Sequence, residues 1–377
     1  MKTKICAPIK PALRILRRFF FLIPALAAII LYKVLPHLPQ FTETVFSRLL
    51  FRIISFPIAF ITSLIPLSIT ELSLFVFAII IIVMLVFFII RMTRSKNRLI
   101  TAGRAARAAG WVISFTLLFY MLLHGVNYYR LPVSALMQLD MSPKSAQLLQ
   151  TLCIDLAKSA SSEREKLKED ENGNIMLSNS LLKTLSQAGD GYRILDNTYP
   201  FFWGAVNRAK PVQLSHKWSY TGISGMYFPF FVEANVNIDQ PDSAIPATSA
   251  HELAHTRGFA REDECNFFAC LSCFVNPSPD YRYSGYVIAY INCSNALYSY
   301  NSDMWAETLP YCSDGVIRDI EERTEYWDSF RGEVQEISNR VNDSFIQSQG
   351  VDDGVLSYNR VVGLLLAYYE KEGLPIN

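Results

Sequence analysis

Pro246-Ala-Thr-Ser-Ala-His251-Glu252-Leu-Ala-His255-Thr-Arg-Gly258-Phe-Ala-Arg-Glu262-Asp263-Glu264-Cys265-Asn266 is the stretch on which the fold and chemistry of this chain turn. Residues four apart share a helix face, so His251 and His255 can hold one ion. Imidazole nitrogens suit zinc, and Glu252 can reach a water on such an ion. Pro246 favours a helix start just before the motif. Gly258 favours its end just after, as a left-handed cap. With only five histidines in 377 residues, this spacing is rare by chance.

A second helix follows at once. Structural zinc is closed by four protein ligands, whereas catalytic zinc uses three plus water. Glu262 and Glu264 are the candidate third ligands. On a helix from about Ala260 to Val275, Glu262, Asn266, Ala269 and Cys273 line one stripe, and Glu264 lies about 200° from Glu262. The small Ala269 and Cys273 let this helix approach the first closely. Glu262 is therefore the expected ligand, with Asn266 one turn on as its hydrogen-bonding support. Cys265 lies off the stripe and is a poor fourth candidate.

The His-Glu-x-x-His motif followed by Glu-x-x-x-Asn resembles the gluzincin branch of the zincin metallopeptidases. Cys265 stands where alanine is usual in that pattern. The gap from His255 to Glu262 is shorter than in most gluzincins. It resembles metzincin spacing, but Arg261 occupies the third-ligand position there. The chain is also similar to an uncharacterised family of bacterial multi-span membrane proteins, the domain-of-unknown-function 3810 family. That likeness is carried by Gly225-Met-Tyr-Phe-Pro-Phe, Glu233-Ala-Asn-Val-Asn237, His251-Glu-Leu-Ala-His255, Arg261-Glu-Asp-Glu and Tyr283-Ser-Gly-Tyr286.

The resemblance implies a mainly α protein: N-terminal transmembrane helices, then a zincin-like α+β metallopeptidase domain with a small sheet. It implies one Zn²⁺ and hydrolysis of peptide bonds through a zinc-activated water, with Glu252 as general base. It further implies an edge strand beside the motif helix that takes extended peptide by strand addition. Glu233, Asn235 and Asn237 would then share one face, towards the cleft. A Tyr or His near the reacting carbonyl is expected from Tyr281, Tyr283, Tyr286, His216 or Tyr358. The rival expectation is a non-catalytic zincin-fold envelope protein with an interaction or signalling role.

Composition agrees with a membrane anchor. Only 18% of residues are charged, against about 25% in soluble domains. Apolar runs mark expected spans at 19–35, 72–90 and 108–127, inside a membrane region of residues 1–128. A globular domain follows over 129–377. A cleaved signal peptide is the alternative for the first run, but Ala25-Leu26-Ala27 lies inside it and not after it. Phe41 to Ile69, interrupted by Arg48, Arg52, Pro57 and Pro66, reads as interfacial or re-entrant, with a further short span as the alternative. Lys2, Lys4, Lys10, Arg14, Arg17 and Arg18 precede the first span, and Arg91, Arg94, Lys96, Arg98, Arg104 and Arg107 separate the second and third. Both groups should be cytoplasmic, which puts the domain outside the cell membrane. The expected partners are the lipid bilayer and a peptide or protein substrate. A net charge of +1 gives no case for nucleic acid. The spans lack the intramembrane charges that mark a transport pathway.

Three further features complete the sequence. Ser145 to Lys158 has an apolar helical face. Ile320, Trp327, Phe330, Val334, Ile337, Val341 and Phe345 predict one long amphipathic helix packed on the core. Of seven cysteines, Cys270 and Cys273 form a lone Cys-x-x-Cys, too little for a zinc ribbon. Most cysteines read as small core residues, with one or two disulfides as the alternative outside the cytoplasm.

Overall fold

The computed structural model describes residues 18–350 and 360–375. Tyr358, one of the expected site tyrosines, lies outside them. The chain is mainly helical, with small sheets. Four helices are long and apolar enough to cross a membrane: α1 (Phe20–His37), α2 (Pro39–Ser63), α3 (Ile69–Arg94) and α4 (Arg98–Leu123). The sequence predicts three spans, so α2 is an added candidate, occupying the segment read as interfacial.

The contacts of α2 separate it from the other three. Near its start, Glu43 pairs with Arg130 at 2.8 and 2.9 Å. In its middle, Arg52 donates to the carbonyls of Pro200 and Phe201. At its end, the Thr62 hydroxyl donates to the Phe231 carbonyl, and the Thr62 carbonyl accepts from Lys210 Nζ. A helix crossing a bilayer carries one end about 30 Å away from a domain on the other side. Here both ends touch the globular part, so α2 lies along it.

The other three helices leave the globular part in one direction. The Phe21 ring packs against Gly110, and Leu35 shares a cluster with Met121 and Val126. Thus α1 and α4 run side by side in the same direction. Helices α3 and α4 form an antiparallel hairpin, joined at Ser95–Asn97 and capped by Asn97 Oδ1 on the Ile100 amide. The start of α1 lies level with the middle of α4, and the end of α3 and the start of α4 lie beyond it, so all three are at the end away from the globular part. Both cationic groups named above border that end in the sequence.

The globular core is built on α5 (Ala146–Arg164), which buries Leu149, Leu152, Cys153, Leu156, Ala157 and Ala160 at helical spacing. The sheet that positions the site has β1 (Lys210–Val212), β2 (Gly225–Phe228) and β3 (Glu233–Asn237), in the order β1-β3-β2. β1 pairs parallel to β3, and β2 pairs antiparallel, with Tyr227 opposite Ala234. Beside the sheet lie α6 (Ile245–Thr256) and α7 (Glu262–Phe274), followed by α8 (Pro279–Tyr300). The expected long helix is instead two, α9 (Asp314–Ser329) and α10 (Glu333–Ser348), separated by an extended Gly332. A last helix, α11 (Val361–Glu372), closes the core. The six described cysteines are free; all are buried except the half-buried Cys312.

Candidate metal centre

The local sequence sets up the site as expected of a helix–turn–helix. Pro246 sits in the first turn of α6. Gly258 has φ +80°, the left-handed conformation that reverses the chain after the helix. The Gly258 carbonyl accepts from Arg130 Nη1 at 2.6 Å, and the Arg130 guanidinium stacks on the Phe259 ring. Because Arg130 is also held by Glu43 of α2, the turn between the two helices is braced from the membrane-proximal side.

His251, His255 and Glu262 offer ligand atoms that all lie within 4.8 Å of one another. The two imidazole Nε2 atoms are 3.2 Å apart. Glu262 Oε2 is 3.1 Å from His251 Nε2, and Oε1 is 3.6 Å from His255 Nε2. Each imidazole is tied by its other nitrogen: His251 Nδ1 to Asn266 Oδ1 at 2.8 Å, and His255 Nδ1 to the Phe259 carbonyl at 2.9 Å. Both partners are acceptors, so each Nδ1 can donate to its partner while each Nε2 is turned into the cluster. Burial would lower the His255 pKa, but Cys265 and Glu262 beside it outweigh that and hold it well above its ordinary value, so a proton or a metal cation can occupy the point where the two Nε2 atoms and the carboxylate meet. The donor set and this convergence fit one zinc ion.

Glu252 stands beside this cluster, buried, with Oε2 lacking any partner. Burial pushes its pKa up to about 7, against the pull of the two histidines. The backbone N–H of Tyr227 on β2 donates to its carboxylate. A Cβ at Gly225 would lie 2.5 Å from Glu252 Oε1, so only glycine lets the strand come this near. Glu262 is half-buried. Burial alone would raise its carboxyl, but the two histidines outweigh that and hold it well below the usual carboxylate range.

Several expected site residues are elsewhere. Glu264 points away from the cluster and accepts from the Val133 amide and Arg261. Glu233 and Asn235 do not face the His-His-Glu cluster. Glu233 pairs with Lys210 and accepts from the Thr70 amide and hydroxyl, at the N-terminus of α3. Asn235 Oδ1 accepts from Ser68, the cap of that helix, and Asn237 bonds Ser219 and the Ile223 carbonyl. The polar face of β3 is thus covered by a membrane-region helix. Tyr283 donates to Asp319, Tyr281 to the Thr184 carbonyl, and Tyr286 to the Pro375 carbonyl. His216 pairs with Asp239. Cys265 lies 3.4 Å from His255 Nδ1, on the side away from the converging Nε2 atoms.

Sequence spacing did not bring His124 to the site. It follows the last turn of α4, and its ring centroid lies 6.1 Å from that of His255 and 5.6 Å from that of Tyr227. Burial pushes its pKa down to about 3, so it is neutral. Tyr227 stacks on His255 from the same region, its hydroxyl donating to the Leu123 carbonyl. A histidine directly after a span was the only available signal. A cavity of about 350 Å³ between the end of α2 and the sheet, lined by Thr62, Arg208, Lys210 and Glu233 among others, is separate from the metal cluster.

The apolar helices and this cluster fit a membrane protein whose globular part carries a His-His-Glu triad on two consecutive helices. The chain belongs to the DUF3810 family, described as a protein of unknown function, whose sequence profile matches residues 46–366. No curated protein and no solved structure matches it.

Proposed function

We propose that this chain is a membrane-anchored, zinc-dependent metalloendopeptidase of the zincin kind, gluzincin-like in its ligand set. The observation that carries the proposal is the convergence of His251 Nε2, His255 Nε2 and the Glu262 carboxylate beside the unpartnered Glu252 Oε2. His251, His255 and Glu262 would hold the ion, and Asn266 and the Phe259 carbonyl orient the two imidazoles. Zinc in such a site lowers the pKa of water towards neutrality and polarises a carbonyl. Glu252 Oε2 takes a proton from water and returns it to the leaving amine, a role suited to a carboxylate whose pKa lies near neutrality. The outer edge of β2 runs beside Glu252 and offers backbone groups to an extended peptide.

We assign the protein to the cell membrane as a multi-pass protein, with the globular part outside the cytoplasm. Support comes from α1, α3 and α4 leaving that part together, with Arg91 to Arg107 towards their far end and Lys2 to Arg17, outside the described residues, preceding α1 in the sequence. The test is Glu252→Gln in the full chain. That variant should keep one zinc and lose peptide cleavage by about 10²- to 10⁴-fold, the usual worth of a general base. Cleavage at the wild-type rate would overturn the assignment. Zinc retention with no cleavage by the wild-type chain against any peptide library would favour the non-catalytic alternative.

A further inference from the structure

Helix α10 carries its apolar stripe on the outside. Val334, Ile337, Val341 and Phe345 are 54%, 53%, 65% and 40% exposed, while Ile346 and Gln349 of the same segment are buried. A helix that packs on a globular core buries such a stripe. Glu333, Glu336 and Arg340 are exposed on a third side. The helix therefore has a side against the protein, a charged side, and an apolar side that no described residue covers.

Its two ends fix where that apolar side lies. At the C-terminal end the Phe345 ring meets Tyr120 of α4 at 6.3 Å, and the Ser348 carbonyl accepts from Tyr32 of α1. Tyr120 and Tyr32 are about one turn inside the domain-proximal ends of those helices, the level at which aromatic belts sit in a bilayer. At the N-terminal end, Gln335 lies over Gly222. Gly222 follows the short helix Ser215–Ser219, which begins just after Gln213 and Leu214. The amides of Gln213 and Leu214 are bound by Glu71, in the first turn of α3. Both ends of α10 are thus referred to the same boundary layer, and the stripe continues the lipid-facing surface of α1 and α4.

We infer that α10 is an interfacial helix that lays Val334, Ile337, Val341 and Phe345 into the headgroup layer on the domain side of the bilayer. The inference rests on the membrane assignment above and not on the peptidase chemistry. A helix with one apolar stripe, one charged side and modest overall hydrophobicity lies in the interface and does not cross it. Docked there, α10 holds the Gly222–Gly225 segment, and with it the Glu252 side of the metal cluster, close to the lipid surface. Under the peptidase reading proposed above, the substrates this favours are membrane-embedded or membrane-adjacent polypeptides.

Nitroxide labels on the full chain test the inference. The chain is reconstituted in vesicles of phosphatidylethanolamine and phosphatidylglycerol. Cys6→Ser and Cys312→Ser leave only the buried native thiols. Labels are placed by Val341→Cys on the stripe, Glu336→Cys on the charged side and Val83→Cys within α3, with Ile337→Cys as a second stripe position. Relaxation by oxygen against a water-soluble nickel chelate should favour oxygen several-fold more at 341 and 337 than at 336, with 83 as the lipid reference. An aqueous profile at 341 and 337 beside a lipid profile at 83 would overturn the inference. So would dipolar broadening at 341, which would mean that a second copy covers the stripe. An aqueous profile at 83 would overturn the membrane assignment and the inference with it.

Discussion

Two polar clusters lie on either side of the sheet, one fully buried and one partly open, and they are built on opposite principles. On β3, Glu233, Asn235 and Asn237 are matched donor to acceptor with Lys210, Thr70, Ser68 and Ser219. On α6 and α7, His251, His255 and Glu262 turn ligand atoms towards one another, and Glu252 Oε2 has no partner. Buried polar groups are ordinarily satisfied, and the exceptions call for an explanation. The first cluster explains itself as a joint between the sheet and α3. The second gathers the donor set that a bound metal ion would use.

That contrast can be broken by substitution. The largest effect is expected from His255→Ala, which removes one of three ligands. It should abolish stoichiometric zinc binding, measured by metal analysis of the purified chain, and should remove any effect of chelators on thermal stability. Stoichiometric zinc in that variant would remove the difference between the clusters. Next is Glu233→Gln. Its pair with Lys210 is almost fully buried, and breaking such a pair costs about 3–5 kcal/mol. The unfolding midpoint should fall clearly while folded protein keeps one zinc. Loss of zinc at unchanged stability would mean that β3 belongs to the site after all. The smallest effect is expected from Asn266→Ala. It frees the His251 ring without removing a ligand, and such losses weaken metal affinity by about 10- to 100-fold. Competition with a zinc chelator reads this directly, and an unchanged affinity would deny Asn266 its orienting role.

The His-His-Glu cluster was legible because all of its parts lie within sixteen residues, on two helices whose geometry is fixed by a 3.6-residue period. Pro246 and Gly258 punctuate the first helix, and angular spacing alone separated Glu262 from Glu264. What spacing does not report is which distant segment covers a face. The alternation at Glu233–Asn237 was read correctly as one polar face, but its cover is the first turn of α3, more than 160 residues earlier. The brace from Glu43 through Arg130 to Gly258 joins positions 87 and 128 apart in the chain. His124 reaches His255 only because α4 ends against the globular part. The tyrosines of Tyr283–Tyr286 serve packing, and Gly285 between them sits where a Cβ would be 2.3 Å from Cys273 Cβ. The periodic stripe from Ile320 to Phe345 ran through Gly332 without showing that the helix breaks there. Nor did periodicity show that the second half turns its apolar side outward.

Anomalous scattering at the zinc edge, from crystals of the full chain grown with zinc, tests the central claim most directly. One peak is expected per chain, within coordination distance of His251 Nε2, His255 Nε2 and a Glu262 carboxylate oxygen, and it should persist in the Glu252→Gln variant. The account is contradicted if no peak appears between α6 and α7. It is equally contradicted if the ion is completed by Glu264 or Cys265 in place of Glu262.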